Sequence, residues 1–168
     1  LDLGYRVPAS IMDMANGLLA EAAPDVTPTR SVRPGGRAPT FAAVDAGGPD
    51  APVADEVGRV TVALAAAYAS IAVIVPPPLR GPVAAALAGV PGEGSQVTLL
   101  DPPEAKGLEF DAVVVVEPAA IAGGTPRGLR LLYVALTRAV QELVVVHADP
   151  LPPGLRPMGP LRGAERAA

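Results

Sequence analysis

Three short runs constrain this chain most, because they are aliphatic without interruption: residues 71–75 (IAVIV), 113–116 (VVVV) and 143–146 (LVVV). A strand with one wet face alternates apolar and polar residues, so runs lacking any polar position belong to a sheet covered on both sides. Between and around them lie segments of helical composition at 8–22, 54–69, 79–88 and about 128–139, the first with Pro8 in its opening turn. Strands are expected near 39–44, 70–75, 96–100, 112–117 and 142–147. Helices alternating with buried strands predict an α/β domain of three layers, built on a mainly parallel sheet with right-handed crossovers.

At 168 residues a single domain is expected, here over 1–150, followed by a Pro-, Gly- and Arg-rich tail at 151–168 (LPPGLRPMGPLRGAERAA) expected to be disordered or docked elsewhere. No internal repeat is present. The 21 Pro and 18 Gly point toward disorder, but half the chain is hydrophobic and supplies enough apolar surface for a core. With aromatic residues at 3%, that core must be made of Ala, Val, Leu and Ile. The 16 residues from 60 to 75 (VTVALAAAYASIAVIV) fall short of the roughly 20 that cross a bilayer and stop at three prolines. They divide near Ser70 into a helix and a strand, so no membrane association is expected.

Composition also excludes chemistry. Without Cys there is no disulfide framework, thiol nucleophile or thiolate zinc site, and a single His rules out a histidine-rich one, so no metal site is expected. A net charge of −4 disfavours a free-standing binder of duplex DNA. The chain starts at Leu and has no charged, then apolar, leader, which is expected of a piece of a longer cytoplasmic protein.

A nucleotide-binding α/β domain normally carries a phosphate loop, but neither G-x-x-x-x-G-K-[ST] nor G-x-G-x-x-G occurs. Of 13 basic residues 12 are Arg, and the sole Lys106 precedes Gly107 instead of following a glycine-rich turn. Any ATP chemistry must be shared with another domain.

Three segments in order carry a family signal: Gly4-Tyr5-Arg6, then AKGLEFD from Ala105 to Asp111, then LLYVALTRA from Leu131 to Ala139. They resemble motifs IV, V and VI of superfamily-one helicases of the UvrD/Rep kind, which define the second, RecA-like motor domain of those enzymes. The resemblance runs from Leu1 to about His147 and implies a P-loop-NTPase fold lacking its own Walker A motif. It implies ATP with Mg²⁺ as cofactor, bound only together with the N-terminal RecA-like domain of the same parent chain. The isolated chain is then expected to be inactive, and the parent to be an ATP hydrolase of helicase type.

By the same resemblance, Arg138 and Arg6 are the residues that reach the γ-phosphate. A planar, permanently charged guanidinium suits the charge spreading over the phosphoryl oxygens. Tyr5 matches the tyrosine that stacks on adenine and Glu109 the glutamate that bonds the ribose, while Gly107 permits close backbone approach. Lys106 is open to a phosphate contact or to pairing with Glu104 or Glu109. Each also has a plainer reading: a solvated or salt-bridged surface arginine, an aromatic covering the core. Tyr133 and Leu132 are expected to pack the motif VI helix, and His147 to be structural or solvated. Arg30, Arg33 and Arg37 in TRSVRPGGR form either a small basic contact loop or, as favoured, a solvated one.

Departures from the family matter as well. Where those helicases carry Thr and His before motif V, here Asp101-Pro-Pro-Glu104 stands, which removes donors to DNA and adds charge that repels phosphate. Gly4 replaces the asparagine before motif IV's Tyr-Arg, and residues 76–95 leave no room for the accessory 2B domain of unwinding enzymes. The wording D-P-x-E-A-K-G-L-E-F-D-x-V-V-V-V-E-P followed by L-Y-V-A-L-T-R-A is most similar to the HelD/HelR branch, ATP-using proteins that release or recycle RNA polymerase in Gram-positive bacteria. RNA polymerase release is thus the expected parent role. The alternatives are a UvrD-type DNA helicase or translocase, contacting nucleic acid through the parent, and a non-catalytic α/β interaction module.

Overall fold

The computed structural model describes residues 3–34, 36–45, 51–94 and 96–157. In chain order the elements are β1 (Leu3–Gly4), α1 (Ala9–Asn16), α2 (Leu19–Ala22), β2 (Arg30–Ser31), β3 (Thr40–Ala43), α3 (Ala51–Ala65), β4 (Ile71–Ile74), α4 (Arg80–Leu87), β5 (Val97–Leu100), β6 (Phe110–Val116), α5 (Pro118–Ala122), α6 (Pro126–Leu136) and β7 (Ala139–His147). Five strands form one sheet in the order β3-β7-β6-β4-β5, and every neighbouring pair is parallel. The expected three-layer α/β architecture is present.

The aliphatic runs explain the layers. Because successive side chains leave a strand on opposite faces, Val113, Val115, Leu143 and Val145 enter one core with α1, α2, α5 and α6. Val114, Val116, Val144 and Val146 enter the other, under α3 and α4. The run 60–75 is shared between α3 and β4, and among the described residues no helix is long and apolar enough to cross a membrane.

Several boundaries differ from expectation, each for a local reason. The helix expected over 8–22 is split into α1 and α2 at Gly17, where the backbone of Gly154 passes so close that a side chain would collide with its carbonyl. That contact belongs to residues 151–157 of the segment expected as a tail, disordered or docked elsewhere. They lie against the α1 side of the core, with Leu155 only 1% exposed; residues 158–168 are outside the described residues. The last helix stops at Leu136 rather than 139, because the Thr137 hydroxyl donates to the Tyr133 and Val134 carbonyls and closes its final turn. The small parallel pair β1–β2 and helix α5 were not legible in the pattern. At the start of α5, Glu117 takes a left-handed φ of 46° and its buried carboxylate accepts the N–H groups of Ala148 (2.5 Å) and Asp149 (3.3 Å).

Candidate functional site

The segment from β5 to β6 begins at the carboxyl end of the sheet and returns to its amino end, with Ala105 buried in the core that α6 covers. Its last turn needs glycine: Gly107 has φ +81°, and nothing lies within 4 Å of where its Cβ would stand. Conformation therefore demands glycine here while the space above it stays open. Past that turn, Leu108 and Glu109 lead into β6, whose first N–H, on Phe110, bonds to the Arg138 carbonyl (3.0 Å). Motifs V and VI thus meet at the amino ends of β6 and β7.

Arg138 sits between α6 and β7. Its Nε donates to the Val134 carbonyl (3.0 Å) and its Nη1 to the Leu108 carbonyl (3.1 Å), so the guanidinium is fixed by both motifs. Burial holds it below the ordinary arginine value, with Glu109 and Tyr133 pulling the other way. It remains a cation, and a partly desolvated one, which strengthens any contact it makes with an anion.

Arg6 follows β1 on an arm tied down by Arg33, whose Nη1 donates to the Arg6 carbonyl (2.9 Å) and to the Val140 carbonyl (2.6 Å). The Arg6 side chain itself is 74% exposed, and its guanidinium pairs with Glu109 Oε1 at 2.5 Å, across 103 residues of sequence. Arg6, Glu109 and Arg138 are therefore brought to one place. Tyr5 stands on the same arm with 71% of its surface exposed, well beyond what a core-covering ring would show. Lys106 is exposed and makes no ion pair among the described residues: Glu104 goes to Arg80 and Glu109 to Arg6.

Other residues singled out in the sequence have structural partners. Tyr133 packs between α6 and α1, its hydroxyl 3.4 Å from Asn16 Oδ1, and burial raises its pKa. Leu132 is fully buried. His147 Nδ1 lies 2.9 Å from the Asp149 carbonyl, and its ring meets Phe41 edge-on. Arg37 pairs with Glu142 at 3.4 Å, whereas among the described residues Arg30 and Arg33 make no ion pair, Arg33 bonding to backbone carbonyls instead.

Three residues organise the site in roles that the sequence did not assign them. Arg33, read only as part of a basic loop, is one. Asp111 is the second: it accepts from the Ser70 N–H and hydroxyl (both 3.1 Å) and from Gln141 (2.9 Å), tying together the starts of β4, β6 and β7. Burial by itself would raise its pKa, but the hydrogen bonds from Gln141 and Ser70 outweigh it and hold the carboxyl below the ordinary value. Arg80 is the third. It pairs with Asp101 at 2.6 Å and Glu104 at 3.5 Å, so the acidic replacement before motif V has a cation of its own.

The fold and the segment from β5 to β7 are similar to known proteins. The model of the UvrD-like helicase C-terminal domain matches residues 99–146, from β5 to the end of β7. The fold is similar to a crystal structure from Lactobacillus plantarum, described as the C-terminal domain of a possible DNA helicase, with TM-score 0.66 and 22% identity over 93% of this chain and 94% of that one. No curated protein matches. The chain has the fold of a helicase-like C-terminal domain and, from residue 99 to 146, a matching sequence.

Proposed function

We propose that this chain is the C-terminal motor half of a superfamily-one helicase-like ATPase, contributing cations and backbone to a nucleotide held mainly by a Walker-bearing domain. The observation that carries it is the convergence of Arg6, Glu109 and Arg138 beside the open turn at Gly107, where motifs V and VI meet at the amino ends of their strands. Two guanidiniums, an exposed Lys106 and an unobstructed backbone turn fit the anionic part of a nucleotide. Among the described residues no group of three His, Cys, Asp or Glu is arranged to hold a metal ion, so Mg²⁺ would arrive with the nucleotide on the other domain.

Bound ATP supplies the phosphoryl group and its leaving diphosphate. The chain's own part is positional. Arg138, fixed by the Val134 and Leu108 carbonyls, offers its remaining donors to charge growing on the γ-phosphoryl oxygens. Arg6 supplies a second, mobile cation, Tyr5 a ring for the base, and Glu109 an acceptor for a ribose hydroxyl. Closure around the nucleotide would pull the two motor domains together, and product release would let them part.

The proposed parent role is release of RNA polymerase, of the HelD kind, supported by the wording of motifs V and VI and by the Asp101–Glu104 pair where DNA-tracking relatives carry donors. The test uses the complete parent protein. ATP hydrolysis should require both its Walker lysine and Arg138, and the 168-residue chain alone should show none. Stable co-purification with RNA polymerase supports the release role, stimulation by single-stranded DNA instead supports the UvrD-type translocase, and a parent with no Walker motif leaves only the interaction module.

A further inference from the structure

We infer that Glu109 is the built-in counter-ion of the phosphate site: its carboxylate holds the Arg6 guanidinium in the ligand-free domain, and a polyphosphate binds by displacing it. The inference deepens the proposed function and rests on it.

The geometry separates what is fixed from what is free. The backbone on both sides is anchored, by Arg33 to the Arg6 carbonyl and by the Phe110 N–H to the Arg138 carbonyl. The pairing side chains are exposed, Arg6 at 74% and Glu109 at 42%. Among the described residues Glu109 is the sole side-chain partner of Arg6. An ion pair in this much water is weak and can open without disturbing the fold. Glu109 also acts electrostatically on Arg138, so one carboxylate offsets charge on both guanidiniums.

Ligand shape supplies the second step. In a nucleoside triphosphate the ribose hydroxyls and the γ-phosphate are separated by the α- and β-phosphates. While the Glu109 carboxylate is in contact with it, the Arg6 guanidinium meets a phosphate with part of its charge already offset. For Arg6 to offer its full charge to the terminal phosphate, the pair must part. Opening it exchanges one carboxylate–guanidinium contact for two contacts to ligand, and makes the cationic site available only when an anion is there to take it. The resting domain thereby presents less bare positive charge to other anions.

Isothermal titration of the purified chain with inorganic tripolyphosphate, without magnesium and at low ionic strength, tests this. Glu109→Gln should bind about two- to fivefold tighter than wild type, the range an exposed pair can be worth. The gain should shrink when Arg6→Ala is combined with it, and Arg138→Ala should weaken binding in either background. If Glu109→Gln binds no tighter, or gains as much without Arg6, while Arg138→Ala still weakens binding, the counter-ion role is wrong and the phosphate site stands. If tripolyphosphate binds neither wild type nor Glu109→Gln, or binds regardless of Arg138, both are wrong. Circular dichroism of each variant confirms that the exposed substitutions leave the fold in place.

Discussion

At the carboxyl end of the sheet, charge is consumed internally. Arg80 is held by Asp101 and Glu104, the Glu104 carboxylate also accepts the Asp101 N–H (2.7 Å), and buried Glu117 is taken up by the backbone of 148 and 149. At the amino ends of β6 and β7 Arg6 is also paired, with Glu109, but the pair is more exposed and Arg138 has no ion pair among the described residues. Backbone carbonyls and the Asp111 cluster fix the scaffold, while Arg6, Lys106, Tyr5 and the face of Gly107 are left exposed. Both ends contain arginine beside carboxylate, so motif chemistry alone does not tell them apart. What separates them is whether carboxylates meet the cation, as at Arg80, or uncharged carbonyls hold it in place and leave its charge without an ion pair among the described residues, as at Arg138.

The contrast can be broken most sharply in the proposed parent ATPase. Arg138→Ala is expected to lower ATP turnover about 10³-fold or more, the scale of an arginine finger, whereas Arg80→Ala should change it less than about twofold at low salt. Comparable losses in the two variants, measured as steady-state phosphate release, would erase the distinction between the ends.

Backbone conformation gives the next largest effect. Gly107→Ala forces a left-handed residue and should destabilise the isolated chain by about 1–2 kcal/mol. Gly81→Ala, inside α4 and with open space around its Cα, should stabilise it by about 0.5–1 kcal/mol. Urea midpoints of opposite sign establish the difference.

The Asp111 anchor adds a pH dependence. Its carboxyl is held below the ordinary value near 3.8 in the folded state, so its stabilisation is complete above that value and is lost as pH falls through the folded pKa. Ser70→Ala should cost about 1 kcal/mol at pH 7, and the gap to wild type should narrow in acid below the ordinary carboxylate range. Chemical denaturation at the two pH values reads it directly.

Smallest is the Arg80 cluster itself. With its charges half in water, Arg80→Ala should cost no more than about 1 kcal/mol, and less at high salt. A larger loss would mean that the carboxyl end is held by that cation rather than by its packing.

How much of this was legible in the sequence varies with distance along the chain. Unbroken aliphatic runs at 71–75, 113–116 and 143–146 dictate strands buried on both faces, because no water-facing position is available in them, and the parallel sheet follows. Gly107 and Arg138 stand in local motifs long enough to be read directly. Helix α5 was missed because five residues opened by Pro118 carry no periodicity, and β1–β2 because two-residue strands are defined only by each other.

The site's electrostatics were beyond the sequence for another reason. Arg6 and Glu109 are 103 residues apart, Ser70 and Asp111 are 41 apart, and Arg33 reaches Val140 across 107. The sequence by itself determined that the chain is an α/β domain with helicase-type motifs and no phosphate loop of its own, since those properties reside in local pattern. Only the tertiary structure decided which carboxylate faces which arginine. Such pairings arise where parallel strands distant in sequence are stacked side by side, and no local pattern records that neighbour.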